Sequence, residues 1–253
     1  MFGYDLKQAF TYFLKDDKKI LKLTVLSVIS ILFVCLSQLT EDWKSIKTLL
    51  SFFGVFIESL YYYGYIAKNT NLRIIASQNS LPDVTDMSCF VVGFKNFIAL
   101  LLYFIWGSLL FIATPVLLML LSGIFMRLIA PVGILLSIIA IISVVIGSLM
   151  FLCGGFAVQI AFVTNLKIKS SLNDKLLNHI LIKNIKYFLP FLFIIVLIGG
   201  VVSALCTIID HIPVVDIVIC PIMWLYWYLA SSDIQAQFAR KVFKIGQEGV
   251  ING

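Results

Sequence analysis

The sequence predicts an all-α, polytopic membrane helix bundle: six transmembrane helices, cytosolic interfacial elbow helices between them, and a parallel two-helix repeat. Three observations carry that expectation. The chain is 61% apolar and only 13% charged over 253 residues, with a mean hydropathy of +1.04, whereas soluble domains are about half apolar and a quarter charged. Its apolar residues fall in span-length runs. Its basic residues alternate between many and almost none from one loop to the next.

A helix needs roughly 20 mostly apolar residues to cross about 30 Å of hydrocarbon. Six stretches qualify: Ile20 to Leu39, Leu49 to Ala67, Phe97 to Leu121, Leu128 to Thr164, Tyr187 to Ile209 and Pro213 to Ala230. They are too long and too continuously apolar for barrel strands, and only a helix pairs its own backbone in lipid. Domain organisation follows as an amphipathic interfacial segment over 1–19, a six-span domain over 20–230 and a cytosolic helix and tail over 231–253. In the first of these, Phe2, Leu6, Phe10, Phe13 and Leu14 recur at helical spacing, with Lys7 and Lys15 on the other face toward anionic lipid.

The fourth stretch is nearly twice the required length. Charge decides how often it crosses, because inner loops collect Lys and Arg. A single crossing places 16 of the 19 basic residues inside and 3 outside, with both termini inside; a double crossing reverses the bias to 8 against 11. One crossing is therefore expected in a multi-pass protein of the cell membrane with both ends cytoplasmic. The surplus length either continues as a helix past the inner surface or breaks near Gly154 and Gly155.

The second and fourth stretches end alike. Ile66-Ala67-x-x-Thr70-Asn71-Leu72-Arg73-Ile74 is matched by Ile160-Ala161-x-x-Thr164-Asn165-Leu166-Lys167-Ile168, and a Lys-Asn pair, Lys95-Asn96 or Lys183-Asn184, precedes the next span. The elbows in between carry helix-start signals. In the first, Leu81 and Pro82 precede Asp83 as N-cap, with Asp86 three residues on. In the second, Ser171 is the expected cap and Asp174 the first-turn acid, with Leu172, Leu176, Leu177 and Ile180 forming an apolar face.

Gly64-Tyr65 at the end of the second span, Arg73, Leu81-Pro82-Asp83 with Asp86, Gly93-Phe94-Lys95, the Asn184 to Tyr187 entry, and a last span from Ile212-Pro213 to Tyr228 followed by Gln235-Ala236-Gln237-Phe238 together resemble a prokaryotic integral membrane family known only as domain of unknown function 4013. The resemblance covers nearly the whole chain, although Val84 stands where that family usually has an aromatic. It implies a membrane domain of six-helix type without an assigned activity. The layout is more distantly similar to membrane domains appended to some glycerophosphodiester phosphodiesterases, whose catalytic domain this chain lacks.

Chemistry is sparse. Glu58 is the one acid well inside a predicted span, one turn from Tyr61 and Tyr62, whose hydroxyls are within reach of it; a charge at mid-bilayer is costly, so this trio is the candidate intramembrane polar site. Arg73, Leu81, Pro82, Asp83, Asp86 and Lys95 form the candidate cytosolic elbow motif. Asp210, His211 and Asp216 cluster in a short outer loop, but read better as a solvated turn than as a metal site. His179 is expected in solvent. Cys35, Cys89, Cys153, Cys206 and Cys220 are isolated and read as small core residues. Pro115, Pro131, Pro190 and Pro221 are expected to kink or end spans.

No zinc-protease, serine-hydrolase, paired-aspartate or P-loop pattern is present, so the expectation is a protein that is not an enzyme and uses no cofactor or metal. Its function is read as organising lipid or partner proteins in the membrane. The partners are then membrane lipids and an unidentified membrane or cytosolic protein, not nucleic acid, since topology explains the net charge of +6. The alternative is a small-solute transporter or transport-accessory subunit that uses Glu58.

Overall fold

The structure is a computed structural model and describes residues 3–38, 46–76, 81–209 and 213–244, without the side chains of 33–38, 46–55, 58, 76, 110, 112 and 213–216. All regular structure among these residues is helical. Asp5 caps α1 (Leu6–Thr11) by accepting the Gln8 N–H at 2.8 Å, and one 3-10 turn, Tyr12–Lys15, follows. The long helices are α2 (Lys19–Gln38), α3 (Ile46–Ala76), α4 (Ser88–Leu128) and α5 (Ala130–Asn165). Short helices α6 (Ile168–Ser171) and α7 (Asp174–Asn178) and a π-helical turn (His179–Lys183) lead into α8 (Ile185–Ile209) and α9 (Pro213–Phe243).

Four helices among the described residues, α4, α5, α8 and the Ile217–Phe243 part of α9, are long and apolar enough to cross a membrane, which marks a multi-pass membrane protein. The first two expected spans lie in α2 and α3, except for Leu39, which is outside the described residues. The expected fourth stretch is one unbroken helix of 36 residues, and Gly154-Gly155 does not interrupt it. Gly154 instead makes room for a neighbour: a Cβ there would fall on the Tyr103 hydroxyl. Pro115, Pro190 and Pro221 all lie inside continuous helices, and Pro131 sits in the first turn of α5. Proline is tolerated in a first turn, and neighbouring groups absorb the lost backbone bond in membrane helices.

Glycine sets the closest helix contact. At the crossing of α3 and α4 a Cβ on Gly64 would fall on the Cys89 carbonyl oxygen, and one on Gly93 on that of Leu60. Two hydrogen atoms where other residues carry carbon let the backbones touch. The α4–α5 turn is as tight, with Ile129 its single non-helical residue.

The elbows depart from the caps expected of them. Residues 81–87 form no helix: Asp83 closes a turn by accepting from the Thr85 N–H and hydroxyl, and Asp86 accepts the Ser88 N–H at 2.9 Å where α4 starts. In the second elbow Asn173 caps α7 through the N–H groups of Lys175 and Leu176, whereas Ser171 ends α6 and donates to the Ile168 carbonyl. Asn173 stands one residue before the helix, so its side-chain oxygen meets the free first-turn N–H groups that Ser171 is too early to reach. Ile180, Leu176 and Leu177 do pack on the core as expected. His179 is half-buried rather than solvated, its ring stacked on Phe243.

Two further expectations change in tertiary context. The N-terminal apolar face is spent on protein: Tyr4, Ala9, Tyr12 and Phe13 are buried, Leu6 and Phe10 pack against the core, and among the described residues of the expected stripe only Leu14 is exposed, Phe2 lying outside them. The last span and its predicted extension are one helix, and Ser231 to Gln235 with Ala236, Phe238 and Ala239 are buried. Phe238 stacks on Phe191 at 4.7 Å.

Candidate functional site

At the end of the bundle where α3 and α9 finish, apolar packing encloses two opposite charges. Arg73, in the last turn of α3, is 1% exposed and Asp233 of α9 is 0% exposed. Burial strips water from both, so each needs the other and further hydrogen bonds. Arg73 Nε donates to Asp233 Oδ1 at 2.7 Å, and Nη2 bonds the same oxygen. The second carboxylate oxygen accepts from Gln237 Nε2 at 2.7 Å, one helical turn along α9.

Gln237 also binds the N-terminal segment. Its amide accepts the Asp5 N–H at 2.8 Å and donates to the Asp5 carbonyl at 3.0 Å, pairing with that backbone as a strand would. Tyr12 completes the enclosure. Its ring lies 4.4 Å from the Arg73 guanidinium carbon, its hydroxyl donates to the Leu229 carbonyl at 3.2 Å, and Asn69 donates to that hydroxyl. Arg240 Nη2 bonds the Arg73 carbonyl, satisfying an orphan acceptor at the end of α3. Tyr4 donates to the Tyr187 carbonyl at 3.0 Å and lies under Lys241. The start and the end of the described chain are thereby joined through α3.

A second cluster fastens the first elbow. Buried Asp16 accepts from the N–H groups of Leu81 and Lys18, both at 2.7 Å, and from Lys22 Nζ at 3.0 Å, while Lys22 also donates to the Leu81 carbonyl at 2.7 Å. Desolvation pushes the Asp16 carboxyl up, but the bonds from Lys22, Leu81 and Lys18 outweigh it and hold its pKa below the usual value. Tyr65 donates to the Pro82 carbonyl at 3.0 Å and Tyr61 to that of Val84. Lys68 pairs with Asp86 and donates to Ser88 Oγ at 2.8 Å; the Lys68 bond, with the Ser88 hydroxyl and N–H, draws the Asp86 pKa down to about 2.

No family model, curated protein or solved structure matches the chain.

The candidate residues named from sequence therefore separate. Leu81, Pro82 and Asp86 join one clasp, Asp83 shapes its turn, Arg73 belongs to the buried ion pair, and Lys95 stands exposed farther along α4. The Glu58 side chain lies outside the described residues, as do Asp210, His211 and the Asp216 side chain. Tyr61 is committed to the elbow, because the irregular turn leaves the Val84 carbonyl without a helical donor. Tyr62 packs edge-on against Tyr228. Of the described cysteines, Cys89 and Cys220 are buried, and the Cys220 thiol donates to the Cys206 carbonyl at 3.8 Å.

Sequence reasoning read Asp233 and Gln237 only as part of the final helix, and gave no site role to Tyr12 and Asn69 in the first cluster or to Asp16, Lys22 and Lys68 in the second. One signal was readable: a lone arginine near the end of one apolar helix and a lone aspartate near the end of another, each too costly to bury unpaired. The planar guanidinium meets its carboxylate in a fixed geometry, which suits the pair to holding helices in register.

Proposed function

We propose that this protein is a non-enzymatic, six-span membrane protein of the cell membrane, both termini cytoplasmic, that organises lipid or partner proteins around a rigid cytosolic platform. The observation that carries this reading is the buried Arg73–Asp233 pair with Tyr12 and Gln237, which ties the N-terminal segment, α3 and α9 together with polar groups facing inward. Polar groups used this way hold shape, and a fixed shape is what a scaffold presents. The charge bias of the loops supports the orientation.

A parallel repeat and membership of the domain of unknown function 4013 family belong to the same reading. Support for the repeat is local: Thr70 bonds back to the Ile66 carbonyl at 2.9 Å, and Thr164 to that of Ile160 at 2.8 Å. The copies then diverge. α3 continues to Ala76 with Arg73 buried, whereas α5 ends at Asn165, Leu166 turns left-handed (φ 52°) and Lys167 is exposed.

The test is extraction of the intact protein in native-membrane nanodiscs, followed by lipid analysis and protein mass spectrometry, with solute uptake measured in proteoliposomes. Reproducible enrichment of a lipid class or a stoichiometric partner, lost in Arg73→Met, is the expected result. Uptake that is abolished by Glu58→Gln replaces this reading with transport. For topology, labelling Lys175→Cys and a C-terminal cysteine on opposite faces overturns the six-span arrangement.

A further inference from the structure

α4 and α5, of 41 and 36 residues, are the two longest of the described helices. From the Gly64–Gly93 crossing, α3 runs about 21 Å from Leu60 to Ile46, while α4 runs about 52 Å from Gly93 to Leu128. α8 and α9 meet where Trp227 lies against Gly199; from there α9 runs about 21 Å to Pro213 and α8 about 15 Å to Ile209. The α4–α5 hairpin thus extends roughly 30 Å farther along its own axis than the described part of α3 from their shared crossing.

The arms stay paired over that length. Tyr103 stacks on Phe151 and donates to its carbonyl at 2.9 Å, Phe111 lies against Gly147, and Ser122 donates to the Gly133 carbonyl at 2.8 Å beside Ser137. Their outward faces are apolar and exposed on both arms, at Leu117, Leu120 and Ile124 of α4 and at Leu135, Ile138 and Ile142 of α5. Between Thr114 and Met150 the single charge is Arg127, exposed beside the turn. A protein partner would be met by one apolar stripe beside a polar face. A surface that is apolar on every side has hydrocarbon as its solvent.

We propose that this hairpin is a bilayer-fitting element whose exposed faces are covered by long acyl chains, so that the protein selects, or locally builds, a thicker than average hydrocarbon layer. This rests on the lipid-organising reading of the protein. From Phe97 to Met126 the uncharged run of α4 measures about 44 Å, against roughly 30 Å of hydrocarbon. Tilting by 40°, the upper end for membrane helices, still leaves it crossing about 33 Å. Arg127 beside the turn keeps its charged head at the far interface while its stem lies along apolar surface, which anchors the tip there and passes the remaining mismatch to the lipid.

The experiment reconstitutes the full chain in phosphatidylcholine vesicles with chains of about 14 to about 22 carbons, and measures relative lipid affinity by brominated-lipid quenching of tryptophan fluorescence. The expected profile peaks at chains longer than 18 carbons. Deleting 115–121 and 138–144, two turns from each arm that face each other, removes about 10 Å while keeping the helix faces and the Ser122–Ser137 tip; the peak then moves to shorter chains. A flat wild-type profile overturns the proposal whether or not the shortened chain folds. So does an unmoved peak in a folded deletion variant, or efficient crosslinking of Leu120→Cys between copies, which makes a second copy the cover. A long-chain preference in vesicles without lipid or partner enrichment in native nanodiscs leaves the hairpin proposal standing and removes the organising reading alone.

Discussion

Removing one member of the buried ion pair strands the other. In Arg73→Met the Asp233 carboxylate loses both guanidinium bonds and keeps the one from Gln237, and in Asp233→Leu the guanidinium keeps the Tyr12 face but loses its carboxylate. Breaking a buried pair from one side costs about 3–5 kcal/mol, roughly a hundred- to several-thousand-fold in the folded population. The double variant Arg73→Met/Asp233→Leu removes both charges and both desolvation costs. Its total is expected well below the sum of the singles, with a coupling of at least about 2 kcal/mol. The assay is reversible unfolding of the purified protein in mixed micelles with increasing dodecyl sulfate, followed by tryptophan fluorescence, for the wild type and the three variants. Additive losses, with coupling below about 0.5 kcal/mol, refute the claim that these groups sustain each other.

Other consequences concern the elbow and the helix crossing. Because Asp86 and Asp16 titrate below their ordinary range, the stability they contribute is fully present above about pH 4 and is lost as pH falls through their folded values, about 2 for Asp86; melting temperatures between pH 5 and pH 2.5 fall more steeply for the wild type than for Asp86→Asn, by an amount limited to about 1 kcal/mol for so accessible a pair. Gly64→Ala forces a Cβ against the Cys89 carbonyl and is expected to cost about 1–3 kcal/mol in the same unfolding assay, while Gly200→Ala, with nothing within 4 Å, is neutral. Tyr12→Phe keeps the ring over Arg73 but leaves the Leu229 carbonyl and the Asn69 amide without their hydroxyl partner, and is expected to lose about 1–2 kcal/mol.

Much of the secondary structure was legible because apolar runs this long have few conformational options. The cores of α3, α4, α5, α8 and α9 fall where hydropathy puts them, since a backbone in lipid can pair only with itself. Helix ends were less legible. α4 stays apolar past Leu121 but for Arg127 and closes on α5 at Leu128, while α9 runs on to Phe243 because neighbours there supply packing that hydropathy does not register. The Asp83 and Ser171 caps failed for a related reason: several nearby side chains can cap, and tertiary contacts choose among them.

By itself the sequence determined that this is a helical protein with apolar spans and where its elbows lie. Tertiary structure alone decided that Arg73 and Asp233 find each other across α3 and α9, that the N-terminal amphipathic face is buried on the bundle, and that Tyr61 serves the elbow. The physical reason is range. Hydropathy and backbone pairing act within a helix and leave a periodic record, whereas an ion pair 160 positions apart exists only once packing has removed water from both charges.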